Sequence, residues 1–268
     1  MISFRHSGKL GDIVYSLPAV RALGGGIFYV DAATTYFEKP ALGREAAQMM
    51  ADLLETQNYI HRAAIFDGEP ITCDLDRFRV KAVPVHAFNI FNSETDKLAG
   101  FFFGNAVKEL RQKLFPGMEV NLPQCHWEVA GLSGRADVNT PWLQGIEPKP
   151  LAEIVISKTS RHQGTLDWLG LKEYASRSVF VGLAEEWRAF RNAYFHVDFY
   201  QVSGLLEFAQ VVAGAKLYVG NQSFGLALAD AMLIPRIAEL WESNPIRMSA
   251  IRGHQVLTPE VVEAYIQP

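Results

Sequence analysis

A strand that runs into a glycine loop and then at once into a helix constrains this chain's fold more than any other feature. Met1–Arg5 suits a short strand, Ser7-Gly-Lys-Leu-Gly-Asp12 is the loop, and Ile13–Leu23 continues as a helix. Gly8 and Gly11 let the backbone turn tightly and come close to a ligand. The helix that follows presents unpaired amides and a partial positive charge to whatever lies in front of it. Asp12 stands at that mouth, either as a carboxylate able to take a proton or as an ordinary capping residue. Near the other end, Val219-Gly-Asn-Gln-Ser-Phe-Gly225 leads into the helix Leu226–Met232 with the same logic. Two such loops predict two nucleotide-fold halves facing a cleft.

The stretches between them alternate short apolar runs with helical ones. In the first half, strands are expected at Ile27–Val30, Ala63–Phe66 and Val83–Ile90, and helices at Arg44–Thr56 and Lys97–Leu114. Pro18 is expected to kink or restart the first helix, and Gly24–Gly26 to end it. From Pro116 to Pro150 periodicity is weak, and Gly145–Pro150 has the composition of a linker. In the second half, strands are expected at Glu153–Ser157, Ser178–Val181, Phe195–Phe199, Lys216–Val219 and Arg236–Leu240. Helices are expected at Leu171–Ser176, Glu185–Asn192 and Leu205–Ala213, the last capped by Ser203. This βαβ rhythm predicts parallel sheets with right-handed crossovers and ligands beyond the carboxyl ends of the strands.

Composition excludes several classes. Hydrophobic residues make up 49% of the 268 and charged ones 20%, which is globular rather than disordered. A net charge of −4 argues against nucleic acid as a partner. Cys73 and Cys125 fit neither a CxxC motif nor a disulfide scaffold. The polar run Ser3–Ser7 is not secretory, and no apolar run is long enough to span a membrane. The expected location is therefore cytoplasmic. The seven histidines form no metal-binding pattern; His126, beside Cys125 and Trp127, is the best lone candidate among them, with a loop histidine without a role as the favoured reading. A Walker loop, a Gly-x-Ser-x-Gly elbow and a full Gly-x-Gly-x-x-Gly are all missing, which disfavours P-loop NTPases, serine hydrolases and NAD dehydrogenases.

Gly8-Lys-Leu-Gly-Asp12 followed by Leu17-Pro-Ala-Val-Arg-Ala-Leu23 resembles the opening of glycosyltransferase family 9, the ADP-heptose:lipopolysaccharide heptosyltransferases. Leu206–Asn221, then Ser223 and Pro235, resembles the end of that family. The likeness covers the first 30 residues and about 153–240; the middle, 67–150, is unmatched. It implies a GT-B fold: two Rossmann-like domains with parallel sheets facing a central cleft. Residues 1–148 would hold the acceptor and 149–268 the nucleotide-sugar. It also implies inverting transfer from a nucleoside-diphosphate donor to a hydroxyl acceptor, with no cofactor and no obligatory metal, and domain closure over the substrates. Peripheral membrane contact stays compatible with that activity.

Carried over by position, the resemblance makes Asp12 the general base and puts Ser7, Gly8, Lys9 and Gly11 around it. Thr159, Ser160 and Arg161 follow the first strand of the second half, where the family reaches the donor phosphates. Glu185 or Glu186, after Gly182, falls near the nucleoside. Asn221, Gln222, Ser223, Phe224 and Gly225 form the pyrophosphate loop, where Ser223 either faces the donor or caps the helix. The family's Asp, Gly and His in that loop are here Gln222, Phe224 and Ala227, and its phosphate lysine is Gly164. Lys158, Arg161 or His162 would substitute for the missing charge. Two other readings of the same residues are a non-catalytic GT-B-shaped binding module and an enzyme acting on another ADP-containing nucleotide.

Overall fold

A computed structural model describes residues 1–36, 39–40, 42–77, 122–160, 164–240 and 257–267. The strand expected at Val83–Ile90, the helix at Lys97–Leu114, Arg161 and His162 lie outside the described residues.

Two parallel sheets form. The first contains β1 (Ile2–His6), β2 (Gly26–Val30), β5 (Ile60–Ile65) and β6 (Cys73–Asp74), with a small hairpin of β3 (Thr35–Tyr36) and β4 (Lys39–Pro40) beside it. Its order is β5-β2-β1-β6, and β1 pairs from Ile2 with Gly26 to His6 with Val30. The second contains β7 (Ile154–Ser157), β8 (Ser178–Val181), β9 (Asp198–Tyr200), β10 (Leu217–Asn221) and β11 (Arg236–Glu239), in the order β11-β10-β7-β8-β9. Strand order therefore reverses between β1 and β6 in one sheet and between β7 and β10 in the other. Such reversals open a crevice at the carboxyl ends, where α/β proteins take ligands.

Around the sheets lie α1 (Leu10–Ala22), α2 (Arg44–Glu55), α3 (Leu122–Val129), α4 (Ala184–Ala193), α5 (Leu205–Ala213), α6 (Phe224–Met232) and α7 (Pro259–Ile266). Among the described residues no helix is long and apolar enough to cross a membrane. Three local expectations are corrected. The segment expected as the helix Leu171–Ser176 is a 3₁₀ run, Trp168–Arg177, in which Gly170 has Leu257 packed against it. Gly204, not Ser203, occupies the N-cap of α5; Ser203 instead donates its amide and hydroxyl to Glu207, at 2.6 and 2.8 Å. The weakly periodic stretch holds α3, which carries His126, so His126 is not a loop residue.

α1 does not restart at Pro18 but runs unbroken through it. Proline has no N–H, so the carbonyl four residues back, that of Val14, loses its helical donor. The indole Nε1–H of Trp142 supplies one at 3.0 Å. Trp142 is fully buried, and its own amide donates to Ala231 of α6 at 2.9 Å. Its neighbours extend the strap: Arg21 donates to the Pro141 carbonyl at 2.6 Å, and the side chain of Gln57 bonds Gln144 in both directions. Residues 141–144 thus fasten α1 and α2 of the first half to α6 of the second.

The same joint is apolar throughout. Ile13, Val14, Leu17 and Val20 of α1 and Leu226, Ala227 and Leu228 of α6 are fully buried in one continuous core. Burying each large aliphatic contributes ~1.5–3 kcal/mol. Inside this core the Tyr15 hydroxyl donates to Asp230 at 2.6 Å, and Arg236 pairs with the other oxygen of Asp230. Burial, reinforced by Asp230, pushes the Tyr15 phenol well above its usual range, so it stays protonated and donates. Large apolar interfaces resist domain motion.

Candidate active site

On the first sheet, β1 delivers Ser7–Lys9 to the crevice beside β6. Three consecutive amides find acceptors within the chain. Ser7 donates to Asp76 at 3.0 Å, Gly8 to His6 Nδ1 at 3.0 Å, and Lys9 to the Asp12 carboxylate at 3.1 Å. Lys9 is the N-cap of α1, so Asp12 is its third residue rather than its first. From there the carboxylate reaches back over the first turn, where the helix dipole favours negative charge. Gly8 has φ +99°, and a Cβ on it would come within 2.7 Å of Leu42, so both conformation and space require glycine. A ligand at this loop meets the exposed Lys9 side chain and Asp12 rather than the amides of 7–9.

On the second sheet, Asn221 ends β10 and is fully buried. Its Oδ1 accepts the Thr159 amide at 3.0 Å, and its Nδ2 donates to the Thr159 carbonyl at 2.9 Å. This paired bond clasps together the loops after β7 and β10, across the point where strand order reverses. Thr159 is half-buried and Ser160 exposed above the clasp. Lys158 pairs with Glu239 at the end of β11 and lies 5.0 Å over the face of Trp168, whose indole N–H also donates to Glu239 at 3.1 Å. That ammonium is therefore neutralised inside the protein. At Gly164 a Cβ would run into the Leu240 carbonyl, so that position has no room for a side chain.

Beneath the loop of residues 221–225 lies Tyr218. Its buried hydroxyl fills the space that a Cβ on either Gly220 or Gly225 would need, and burial drives its pKa upward. Gly225→Ala is expected to cost about 1–3 kcal/mol by overpacking, and Tyr218→Phe in the same background is expected to recover part of it. Equal loss in both backgrounds, measured by chemical denaturation, would place the strain elsewhere. At the end of β8, Gly182 leads into α4, where Glu186 accepts the Leu183 amide at 3.1 Å and Glu185 is exposed. This loop lies on the same sheet edge, on the far side of β7 from β10.

The two crevices meet through their small residues. A Cβ on Gly11 would lie 3.6 Å from the Ala227 Cβ, 3.8 Å from the Ser223 carbonyl and 3.9 Å from Phe224 Cα. The first turns of α1 and α6 therefore abut, bringing Gly11 beside Ser223 and Phe224. Ala227 is fully buried in that contact. Phe224 turns its ring onto Phe208, edge to face at 5.7 Å between centroids. Asp76, His6, Glu239 and Tyr218 bond or pack against these loops but escaped sequence reading. For Glu239 the signal was a charge inside a buried strand; for the others it lay in contacts distant along the chain. Among the described residues no group of three or more His, Cys, Asp or Glu could hold a metal ion.

No family model matches this sequence, and no curated protein matches it. Among solved structures, the chain is similar to a glycosyl transferase family 9 protein from Veillonella parvula, with a TM-score of 0.52 and 8% identity, over 94% of this chain and 85% of that one. It is also similar to the E. coli ADP-heptose lps heptosyltransferase II, at TM-score 0.49 and 14% identity over 99% and 97% of the two chains. The E. coli heptosyltransferase WaaC, solved with ADP-2-deoxy-2-fluoro heptose, aligns at TM-score 0.48 and 15% identity over 99% and 98%. At 8% identity the likeness to the Veillonella parvula protein speaks for the fold alone, which is α/β and GT-B.

Proposed function

We propose that this chain is a glycosyltransferase that moves a sugar from a nucleoside-diphosphate donor, ADP-heptose-like, to a hydroxyl acceptor. The observation that carries this reading is the abutment of the α1 and α6 first turns at Gly11 and Ser223–Phe224. It brings the helix turn that carries Asp12 against a second helix N-terminus, and helix N-termini attract phosphate. Asp12 takes the acceptor hydroxyl proton as that oxygen attacks the anomeric carbon. The bond from that carbon to the diphosphate breaks on the opposite face, and the configuration inverts. Ser223, Gln222 and the hydroxyls of Thr159 and Ser160 face the diphosphate, with Arg161 as the cation. Asn221 and Lys158 hold those loops in shape, and Gly182 with Glu185 or Glu186 borders the nucleoside. Residues 1–148 carry the acceptor and 149–268 the donor, within the cytoplasm.

A thermal-shift series with ADP, UDP, GDP, CDP and TDP, their sugar conjugates, NAD and ADP-ribose tests the donor side. At about 100 times its Kd a ligand stabilises the native state by ~2.7 kcal/mol, a rise of about 5–10 °C for a chain of this size. One nucleoside diphosphate and its sugar conjugate are expected to give that rise. A rise with ADP-ribose or NAD alone moves the chain to another nucleotide substrate. No rise with any of them leaves a non-catalytic module.

A further inference from the structure

Two histidines far apart in sequence meet directly beneath the loop that carries Asp12. His6 ends β1, His126 lies in α3, both are fully buried, and their Nε2 atoms stand 3.0 Å apart. The remaining ring nitrogens decide who donates. His6 Nδ1 receives the Gly8 amide at 3.0 Å, so in the neutral ring it carries no hydrogen and Nε2 does. His126 Nδ1 lies 2.8 Å from the Leu122 carbonyl, which can only accept, so there Nδ1 carries the hydrogen and Nε2 is bare. His6 therefore donates to His126. One pair of tautomers satisfies all four nitrogens, and the bonds run in one direction from the Gly8 amide to the Leu122 carbonyl.

We infer that neutral His6, held in its Nε2–H tautomer by His126, is the positioning residue that fixes the Gly8–Asp12 turn. Its role in catalysis rests on the proposed transferase reading; its tautomer and its hold on Gly8 do not. Gly8 sits between two other anchored amides, those of Ser7 on Asp76 and of Lys9 on Asp12, so releasing Gly8 loosens the link from β1 to the carboxylate. The charged groups around His6 make this hold depend on protonation. Asp76, from the turn after β6, puts Oδ1 3.3 Å from His6 Nδ1 while accepting Ser7, and its other oxygen lies 3.8 Å from Arg5 of β1. Arg5 itself is committed to Asp31 at 2.7 Å and Asp74 at 3.3 Å. His126 is the titratable group from α3. A second proton on His6 goes to Nδ1, turns that atom into a donor toward Asp76 and ejects the Gly8 amide.

The test uses the whole chain with 15N-labelled histidine. Long-range proton–nitrogen spectra at pH 7.5 should show one buried ring as the Nε2–H tautomer and another as the Nδ1–H tautomer, assigned through His6→Asn and His126→Gln. Amide exchange then reads the hold on Gly8. Asparagine keeps an acceptor near the Nδ1 position, so His6→Asn should leave Gly8 protected. His6→Leu removes it, and Gly8 should exchange about fivefold faster, the worth of one neutral hydrogen bond. In the wild type, protonation of His6 at low pH should release Gly8, and His6→Asn should abolish that dependence. An Nδ1–H tautomer on His6, or Gly8 protection unchanged between His6→Leu and wild type, would overturn the inference. The wild-type tautomers decide it even if His6→Leu fails to fold. Once a donor is known, His6→Leu should lower kcat with KM unchanged, and His6→Asn should restore kcat. Correct tautomers in a chain that transfers no sugar would leave the inference standing and sink only the reading of function.

Discussion

Trp142→Ala is expected to lower the stability of the protein by ~3–5 kcal/mol, the range for removing a large buried aromatic. Part of that loss is volume, since Trp142 is fully enclosed at the joint of the two halves. The rest is chemical. Its indole donates to the Val14 carbonyl, orphaned by Pro18, and a buried polar group without a partner costs about 1–3 kcal/mol. Trp142→Phe separates the two contributions, keeping most of the apolar area while removing the donor. Pro18→Ala then returns an amide four residues beyond Val14, so added to Trp142→Phe it should recover stability. The two substitutions should couple by about 1 kcal/mol or more in a double-mutant cycle. If Trp142→Phe costs less than ~0.5 kcal/mol by urea unfolding and shows no coupling to Pro18→Ala, the indole is filling space and nothing more.

Asp12→Asn is the largest effect expected on activity. Under the proposed mechanism it removes the base while its amide oxygen still accepts the Lys9 amide, so the turn and the melting temperature should survive. A positioned general base contributes ~10²–10⁴-fold, and kcat should fall by that factor with donor affinity unchanged. The informative measurement is kcat beside Tm on the same preparation, with the donor that the thermal-shift series selects. Full turnover in a folded Asp12→Asn protein would remove Asp12 from the chemistry and leave it as a helix-turn residue.

The neighbourhood of Gly11 argues for treating these residues as one assembly. Gly11 permits the close approach of α1 to α6, Ala227 accepts it, and Tyr218 props the second turn through the space left by Gly220 and Gly225. The glycines that read as ligand-approach positions therefore also serve helix packing. The charges behave similarly. Lys158 was a candidate for the phosphates, yet Glu239 and Trp168 take its ammonium. A cation can be read from sequence, but whether a buried carboxylate neutralises it depends on a strand some eighty residues away.

Elements set by local pattern were legible without coordinates. Ser178–Val181 and Leu205–Ala213 lie where their periodicity put them, and β1, β2, β7 and β10 fall within a residue or two. Apolar alternation and glycine stops are read within a short window of chain, and so are the two strand–loop–helix turns. Local pattern could not show α3 within the weakly periodic stretch. Nor could it show that α1 would continue past Pro18, or that the indole of Trp142, far along the chain, would reach the Val14 carbonyl.

The sequence by itself determined the α/β class, the parallel sense of the strands in the two main sheets, and the two glycine turns that lead into α1 and α6. Those follow from residue periodicity and backbone freedom, which act over a few neighbours. Only the tertiary structure decided what each turn does with its polar groups. The amides of Ser7, Gly8 and Lys9 found Asp76, His6 and Asp12, Asn221 clasped Thr159, and His6 met His126. A buried donor or acceptor must be paired wherever a partner can be brought, and that partner is supplied by packing across the whole chain.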